Sequence, residues 1–318
     1  MKKILHFLKS HLRDDFHYGA YGYALVFLSF TITFNYYYDF EDSVLDAYAL
    51  QWVSIPFHIL YFAFAYFGVL IPKLWLSGEG HRLREPALWG RSLFFISLIG
   101  LVAGFTMFRA WLSAYTQDPW IQYFIYKTLT QLKYILLALP LLWWFYGWYD
   151  RPIEPGFYGL RTRGFSAQPY IVMLLMMLPL ILMASFRPDF LKTYPMIKPW
   201  LLAQNHSGWN PWVMFAVFEC SYGLGFIFVE LFFRGVLVIG MARCLGHHAV
   251  LPMVVAYAFL HFGKPLGETL GAIAGGYVLG VIALHTRTIL GGCFIHIGIA
   301  FLMEGCALFQ YLHTGQEI

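Results

Sequence analysis

Nine apolar stretches, most of them about 20 residues long, constrain the fold of this chain more than any other feature of its sequence. A helix of that length crosses the hydrocarbon core of a bilayer, and a helix bonds all of its own backbone groups there. The pattern therefore predicts an all-α protein, a polytopic transmembrane helix bundle with eight or nine spans, because the seventh stretch is short. The stretches cover residues 18–37, 51–71, 92–113, 121–147, 169–186, 210–234, 248–263, 267–284 and 289–311.

Composition agrees with a membrane setting. The 318 residues are 59% hydrophobic and only 12% charged, whereas about a quarter of the residues of an average protein are charged. The net charge is +4 and no run of Lys or Arg forms a nucleic-acid patch, so we expect the lipid bilayer as a partner and no nucleic acid. The four cysteines have no CxxC spacing and lie in or beside apolar segments, which favours packing roles over disulfides or zinc.

Basic residues in the short loops predict the orientation. The amphiphilic segment Met1–Phe16 is basic and is expected to lie on the membrane surface. Most later basic loops fall on the same side of the proposed spans as this segment, although the loop 187–209 is an exception. The N-terminus is therefore predicted to be cytoplasmic and the C-terminus to lie on the opposite side.

The two halves of the chain differ in character. Residues 1–150 are aromatic-rich and hold few mid-span charges, which indicates a variable set of transmembrane helices. Residues 151–168 are rich in Gly and Pro and predict a cytoplasmic linker loop. Residues 169–318 hold most of the polar intramembrane residues, together with glycines four apart in 271–280, a spacing that lets helices approach closely.

Glu230, His261 and His296 are the candidate functional residues, because each lies in a predicted span. An ionisable group costs about 2.5–3.5 kcal/mol in the middle of a bilayer on insertion scales. Three such groups in three of the last four predicted spans, of types that activate water or bind metal, predict a polar site inside the bundle. Taken singly, each also has a structural interpretation: a helix-end histidine for His261, and a core histidine bonded to a backbone carbonyl for His296.

Neighbouring residues extend this candidate site. Arg234 is four residues from Glu230, so the two share a helix face and predict an ion pair. The alternatives are a pair at the cytoplasmic interface with Arg234 reaching towards water, or an arginine that anchors a carboxylate where Gly235 ends or kinks the helix. Glu268 and Glu304 are further candidate carboxylates.

These residues resemble a family. Glu-x-x-x-Arg-Gly in one span, an aromatic residue (Tyr257) four before His261 in the next, and the late intramembrane His296 are similar to the CPBP family. That family comprises type II CAAX prenyl endopeptidases and bacterial Abi-like relatives linked to bacteriocin processing and immunity. The resemblance spans roughly residues 170–311 and identifies 169–318 as a CPBP-like intramembrane protease core.

The chain departs from the family pattern at three positions. The first motif glutamate of the family, usually assigned as the base that activates water, aligns with Val229. Tyr257 replaces the Phe of the second motif. Ala300 stands where the third motif has Asn or Asp, and Glu304 is the nearby carboxylate that would compensate for it.

The resemblance implies an intramembrane endopeptidase of glutamic or metallo type, in a bacterial inner membrane, acting on a membrane-embedded or lipid-anchored peptide or protein. Glu230, His261 and His296 would be catalytic, and Arg234, Gly235 and Tyr257 would orient them. If zinc is the cofactor, His261 and His296 would be ligands. The alternatives are a catalytically inactive family member that acts as a binding or immunity protein, and a small-solute transporter, which the lack of internal repeats disfavours.

Overall fold

The computed structural model describes residues 2–152, 156–163 and 165–314. Within these residues the regular elements are all helical, which confirms the predicted fold class. Residues 153–155 and 164, which belong to the predicted linker, lie outside the described residues. The helices are α1 (Lys2–Asp15), α2 (Tyr18–Tyr38), α3 (Ser54–Leu76), α4 (Pro86–Gly104), α5 (Phe108–Tyr115), α6 (Pro119–Lys133), α7 (Leu139–Phe145), α8 (Gln168–Ala184), α9 (Pro188–Thr193), α10 (Pro199–Leu202), α11 (Pro211–Glu230), α12 (Ala242–Leu245), α13 (Val250–Phe259), α14 (Leu266–Thr286) and α15 (Leu290–Thr314).

Within the described residues, six helical segments are long and apolar enough to cross a membrane. The protein is therefore a multi-pass membrane protein, although the predicted count of eight or nine spans is not confirmed. Two of the predicted spans correspond to helices outside this set: α2, and the shorter apolar helix α8. Two further predicted spans, 210–234 and 248–263, correspond to one continuous segment of 49 residues, Pro211–Phe259.

The segment Pro211–Phe259 begins as the α-helix α11 and continues in the wider turns of a π-helix. Residues Leu231–Gly240 form π turns, and Gly246 has a φ of 58°, a left-handed value that glycine adopts without steric cost. One crossing needs about 20 residues, so the segment is more than twice as long as one span requires. The π turns begin directly after Glu230, as π turns often do at functional sites.

The chain packs as two compact units, and both draw on both halves of the sequence. The predicted division into variable helices, linker and protease core concerns function and stays a prediction. Unit 1 comprises Met1–Phe105, Leu141–Phe165 and Glu230–Leu290, and unit 2 comprises Thr106–Pro140, Ser166–Val229 and Gly291–Ile318.

In unit 1, α3 and α4 approach each other closely at two glycines of α4. A Cβ atom added at Gly100 would lie 2.5 Å from the Cα of Ile59, and one at Gly104 would lie 2.6 Å from the carbonyl oxygen of Ser54. Both obstacles are backbone, which does not rotate away. The four-residue spacing therefore serves the close helix approach expected of small residues in membrane proteins. The apolar core beside it is formed by α2, α3 and α13, around Val69, Val255 and Ala258.

The first part of the predicted linker is a packed element of unit 1. Phe157, Tyr158 and Gly159 are buried, and the amide of Ile289 donates to the carbonyl of Gly159 at 3.0 Å. The Tyr158 hydroxyl donates to Asp150 Oδ2 at 2.6 Å. Gly156 and Gly159, which both have positive φ, therefore shape a buried turn within the described residues 156–163.

Unit 2 packs α11 against α15 in antiparallel register. The position of a Cβ atom at Gly223 lies 3.1 Å from the Phe301 ring, and the rings of Phe226 and His296 are 4.3 Å apart. Ile197, Met214 and Ala300 belong to the adjoining apolar core. This register fixes which polar residues of the two helices face each other.

We predict that Gly100→Ala lowers the thermal unfolding midpoint in detergent, whereas Gly90→Ala on the same helix does not. The methyl group added at position 100 meets backbone at 2.5 Å, and nothing lies within 4 Å of a Cβ atom at Gly90. Overpacking of this kind costs about 1–3 kcal/mol, while alanine in a helix gains about 0.5–1 kcal/mol over glycine. Equal effects of the two substitutions would contradict the close approach of α3 and α4.

Candidate functional site

Glu230 and Arg234 form a fully buried ion pair in unit 1. The Nη1 atom of Arg234 lies 3.0 Å from Oε1 of Glu230, and the two side chains are 1% and 0% exposed. The predicted pair is therefore present. The interpretation of Arg234 as an arginine that reaches towards water is wrong, because its guanidinium is buried, and the alternative of an anchor for a carboxylate fits the geometry. Removing one partner of a buried pair typically costs about 3–5 kcal/mol, because the other charge is left uncompensated.

Tyr257 covers the guanidinium of this pair. The Cζ atom of Arg234 lies 4.1 Å from the centroid of the Tyr257 ring, within the range of a cation–π contact. Gly276 of α14 makes room for both groups, since its Cβ position lies 3.1 Å from Cδ1 of Tyr257 and 3.9 Å from Nη2 of Arg234. One of the predicted small residues of 271–280 therefore serves the site directly.

Gly235 allows the main chain of another turn to approach the helical segment next to Arg234. A Cβ atom there would lie 2.5 Å from the carbonyl oxygen of Tyr158. The helix does not end at Gly235, because the π turns continue through it, and the alternative of a kink there stays a prediction. Its function in the structure is to admit the turn that carries Tyr158, which in turn bonds Asp150.

His261 follows α13 in unit 1 and is oriented by the main chain. Its Nδ1 atom lies 2.9 Å from the carbonyl oxygen of Tyr257. A carbonyl only accepts, so Nδ1 must carry the hydrogen. In the neutral imidazole Nε2 then holds the lone pair, the state that takes up a proton or binds a metal. The same residue, Tyr257, therefore positions both His261 and Arg234.

The turn that contains His261 is held by side chains from α2 and α14. Asn35 Nδ2 donates to the carbonyl of Phe262 at 3.1 Å, and the Tyr36 hydroxyl donates to the carbonyl of Lys264 at 2.6 Å. Thr269 Oγ1 donates to the carbonyl of His261 itself at 2.7 Å. The first, aromatic-rich part of the sequence thus fixes the turn of the second motif.

Glu41 is a carboxyl group near this turn that sequence reasoning did not single out. Its Oε2 atom lies 2.6 Å from the Cβ position of Gly263, two residues from His261. Burial, together with Asp46 and Asp42, raises the pKa of Glu41 to about 8, so its carboxyl holds a proton at neutral pH. Nothing in the sequence around Glu41 distinguishes it from an ordinary acidic loop residue.

The predicted additional residue Glu268 lies near the same turn. Its Oε1 atom is 4.0 Å from Nζ of Lys264, one helical turn away. Half-buried side chains at this separation form a weak pair. The described contacts of Glu268 are those of a residue at the start of α14.

Unit 2 holds the other two predicted site residues, both on α15. His296 is half-buried and contacts the ring of Phe226. Glu304 is 3% exposed, and its two carboxylate oxygens accept from the amide of Met196 at 3.0 and 3.1 Å. Glu304 therefore holds the segment before α10.

Glu219 of α11 is a second carboxyl group beside Glu304, and sequence reasoning missed it. Its side chain hydrogen-bonds to Glu304. Two adjacent carboxylates repel each other, and a hydrogen bond between them requires one to hold a proton. The sequence contained an indication of this residue. Glu219 precedes Glu230 by 11 residues, about three helical turns, so the two carboxyl groups lie on one face of α11.

The two motif positions that lack polar groups differ in their surroundings. Ala300 is 4% exposed and packs in the apolar core of unit 2, a setting in which an Asn or Asp side chain would need its own partners. Val229 is half-buried and directly precedes Glu230. The catalytic assignment of Glu230, His261 and His296 and the convergence of these three residues stay predictions.

The donor groups of the described residues indicate where a metal ion could bind. His261 fits a ligand role through Nε2, whereas an oxygen of Glu230 is committed to Arg234. Among the described residues, two clusters of three donors lie close enough together to share an ion, and neither includes Glu230 or His261. One is the carboxylate cluster of Glu41, Asp42 and Asp46, and the other is Asp15, His247 and His248.

All four cysteines are free thiols.

Comparison with known proteins gives a match to part of the chain. Residues 208–302 match the family model described as type II CAAX prenyl endopeptidase Rce1-like, a range that contains Glu230, Arg234, Tyr257, His261 and His296. No curated protein and no solved structure gives a significant match. The chain therefore carries an Rce1-like domain over residues 208–302, consistent with the CPBP family of membrane proteases.

Proposed function

We propose that the protein is an intramembrane endopeptidase that hydrolyses a peptide bond of a membrane-embedded or lipid-anchored substrate. The observation that carries the proposal is the Glu230 carboxylate, fully buried and held by Arg234 at 3.0 Å, inside the Rce1-like domain. A buried ionisable residue within a membrane span is costly and is generally retained for function. The ordered His261 turn beside the same Tyr257 supplies a second group of the proposed site.

In the proposed reaction a water molecule attacks the carbonyl carbon of the scissile bond. Glu230 accepts the proton of that water, and His261 takes part through its Nε2 lone pair. The carbon–nitrogen bond then breaks, and the proton passes to the leaving amine. Arg234 and Tyr257 keep the carboxylate in place. His296 is proposed to stabilise the oxyanion of the tetrahedral intermediate.

Zinc stays a proposal for this site. It would be held by Nε2 of His261 and by His296, and when bound it would polarise the scissile carbonyl and acidify water. None of the steps assigned to the protein residues depends on it.

We expect Glu230→Gln to abolish cleavage while the protein still accumulates and folds, because the amide keeps the shape but cannot take up a proton. The assay is purified protein in detergent with a quenched fluorescent peptide that carries a farnesylated cysteine followed by three residues, and its non-prenylated counterpart. His261→Ala and His296→Ala should be about as disabling, since groups that act together are non-additive.

Glu219→Gln is the matched control for this experiment, because it makes the same change on the same face of α11 and should leave cleavage intact. Arg234→Ala should instead reduce accumulation and thermal stability, by about 3–5 kcal/mol for a broken buried pair. Cleavage that persists in purified Glu230→Gln would refute the assignment of the base.

A second candidate function is a catalytically inactive binding protein of the same family. It is favoured by the two apolar motif positions, Val229 and Ala300. In that case the native chain would cleave neither peptide, and Val229→Glu combined with Ala300→Asn would create activity. Because Ala300 lies in an apolar core, Val229→Glu alone should be tested beside the double variant.

The proposal requires His261 and His296 to converge. In a variant without native cysteines, we expect cysteines introduced at positions 261 and 296 to be joined by a bifunctional thiol reagent that spans about 5 Å, the scale of a shared site around one water. The pair of positions 261 and 304 is the control, because 304 is two helical turns from 296. Cross-linking of the control pair alone would exclude a shared site.

We further propose a bacterial inner membrane location with a cytoplasmic N-terminus. Basic residues favour the cytoplasmic side of short loops, so a reporter fused after Ile318 should read as periplasmic and one fused after Gly164 as cytoplasmic. A cytoplasmic signal from both fusions would mean that the number of crossings between them is even and would reject the periplasmic C-terminus, whereas a periplasmic signal after Gly164 would reject this orientation.

A further inference from the structure

A second polar cluster lies in unit 1, where α1 meets the turn between α12 and α13. Asp15 at the end of α1 is 3% exposed, and His11, one turn earlier on the same face, is 1% exposed. His247 and His248 form the turn Gly246–Ala249. None of these residues belongs to the candidate site, and the proposed proteolysis does not use them.

The donor atoms of this cluster are close enough to share one ion. The ligand atoms of Asp15, His247 and His248 all lie within 4.8 Å of one another, and Nδ1 of His248 is 3.0 Å from Oδ1 of Asp15. Ligands about 2.0–2.1 Å from a zinc ion are separated by little more than 3 Å from each other. The His248–Asp15 separation is therefore already near that of two ligands of one metal.

His11 provides an independent indication. Its Nε2 atom lies 3.6 Å from Oδ2 of Asp15, and within the described residues neither of its ring nitrogens has a hydrogen-bond partner. A buried polar group without a partner costs free energy. An imidazole nitrogen ligates a metal through its lone pair, so a buried ring nitrogen beside Asp15 is a further candidate donor.

Lys73 determines which ions fit this cluster. Its Nζ atom lies 2.8 and 2.7 Å from the two carboxylate oxygens of Asp15, and the Tyr21 hydroxyl donates to Oδ2 at 2.7 Å. The carboxylate charge is thus already compensated. An ion held there must obtain its affinity from imidazole nitrogen, which suits zinc, nickel, cobalt and copper and not magnesium or calcium.

We propose that Asp15, His247 and His248, with His11, form a binding site for one divalent transition-metal ion that ties α1 to the turn before α13. The ion would replace the contact between His248 and Oδ1 of Asp15, while Tyr21 remains on the carboxylate as a hydrogen-bonding partner of the kind that orients metal ligands. A purely structural Asp15–Lys73 ion pair would need neither His11 nor His247.

The test is a calorimetric titration of the tag-free full-length protein in detergent, stripped with a chelator, with Zn²⁺ as the probe. We expect one zinc ion per chain at this site, and no binding of Mg²⁺ at the same concentration. His247→Ala should weaken binding at least about tenfold, as the loss of one ligand or of its support does. His247 is half-buried, so this change should be tolerated by the fold.

Two matched controls separate this site from others. His6→Ala, an exposed histidine on the same α1, should leave zinc binding unchanged. His261→Ala should also leave it unchanged, which distinguishes this site from a catalytic zinc. Cobalt bound here should give the visible d–d absorption of a four-coordinate ion with nitrogen and oxygen ligands.

Lys73→Met gives a readout that a structural role would not produce. Removal of the ammonium group leaves the Asp15 charge for the metal, so zinc should bind at least about tenfold more tightly. Absence of zinc binding, or zinc binding that His247→Ala and His248→Ala leave unchanged, would overturn the proposal. Weaker binding by folded Lys73→Met would also overturn it.

Discussion

The ion pair between Glu230 and Arg234 is the interaction around which unit 1 is arranged. A carboxylate that is 0% exposed in so apolar a chain must have its charge compensated by a group within a few ångströms, because charges are far more costly to bury unpaired than paired. Arg234 supplies that charge from the next turn of the same helical segment. Tyr257 then covers the guanidinium, and Gly276 and Gly235 keep the space that the two large side chains need.

Two other buried ion pairs in unit 1 follow the same physical rule over longer sequence separations. Lys73 of α3 compensates Asp15, and Arg91 of α4 bonds Asp150 through both carboxylate oxygens. Asp150 also accepts from Tyr158, whose main chain abuts Gly235. A chain of contacts, polar from Arg91 to Tyr158 and steric at Gly235, therefore leads from α4 to the helical segment of Glu230. The first half of the sequence thus supports the site.

The parts of this structure that the sequence predicted are those that depend on local spacing. The all-helical fold follows from the long apolar stretches, and the Glu230–Arg234 contact follows from a separation of four residues on a helix. The pairs of Asp15 with Lys73 and of Glu219 with Glu304 join residues far apart in sequence, and only tertiary packing brings them together. The Gly- and Pro-rich segment 151–168 was predicted to be a linker loop. Its residues 157–159 are buried, which the sequence did not indicate because turn composition does not reveal whether a turn is buried. The predicted count of eight or nine spans is not confirmed, in part because π turns at Leu231–Gly240 carry the segment Pro211–Phe259 past residue 234, where a span was expected to end.

The position of Tyr257 explains why the exchange of the second-motif Phe for Tyr is compatible with the proposed site. Two of the contacts that this residue makes at the site do not involve its hydroxyl: its carbonyl oxygen orients Nδ1 of His261, and Arg234 lies over the face of its ring. The carbonyl is independent of the side chain, and a phenyl ring presents a cation with a similar negative face. Both contacts are therefore available to Phe and to Tyr. Val229 and Ala300 are different, because an apolar side chain cannot take up a proton or donate a hydrogen bond. The proposed activity therefore rests on Glu230, His261 and His296 alone.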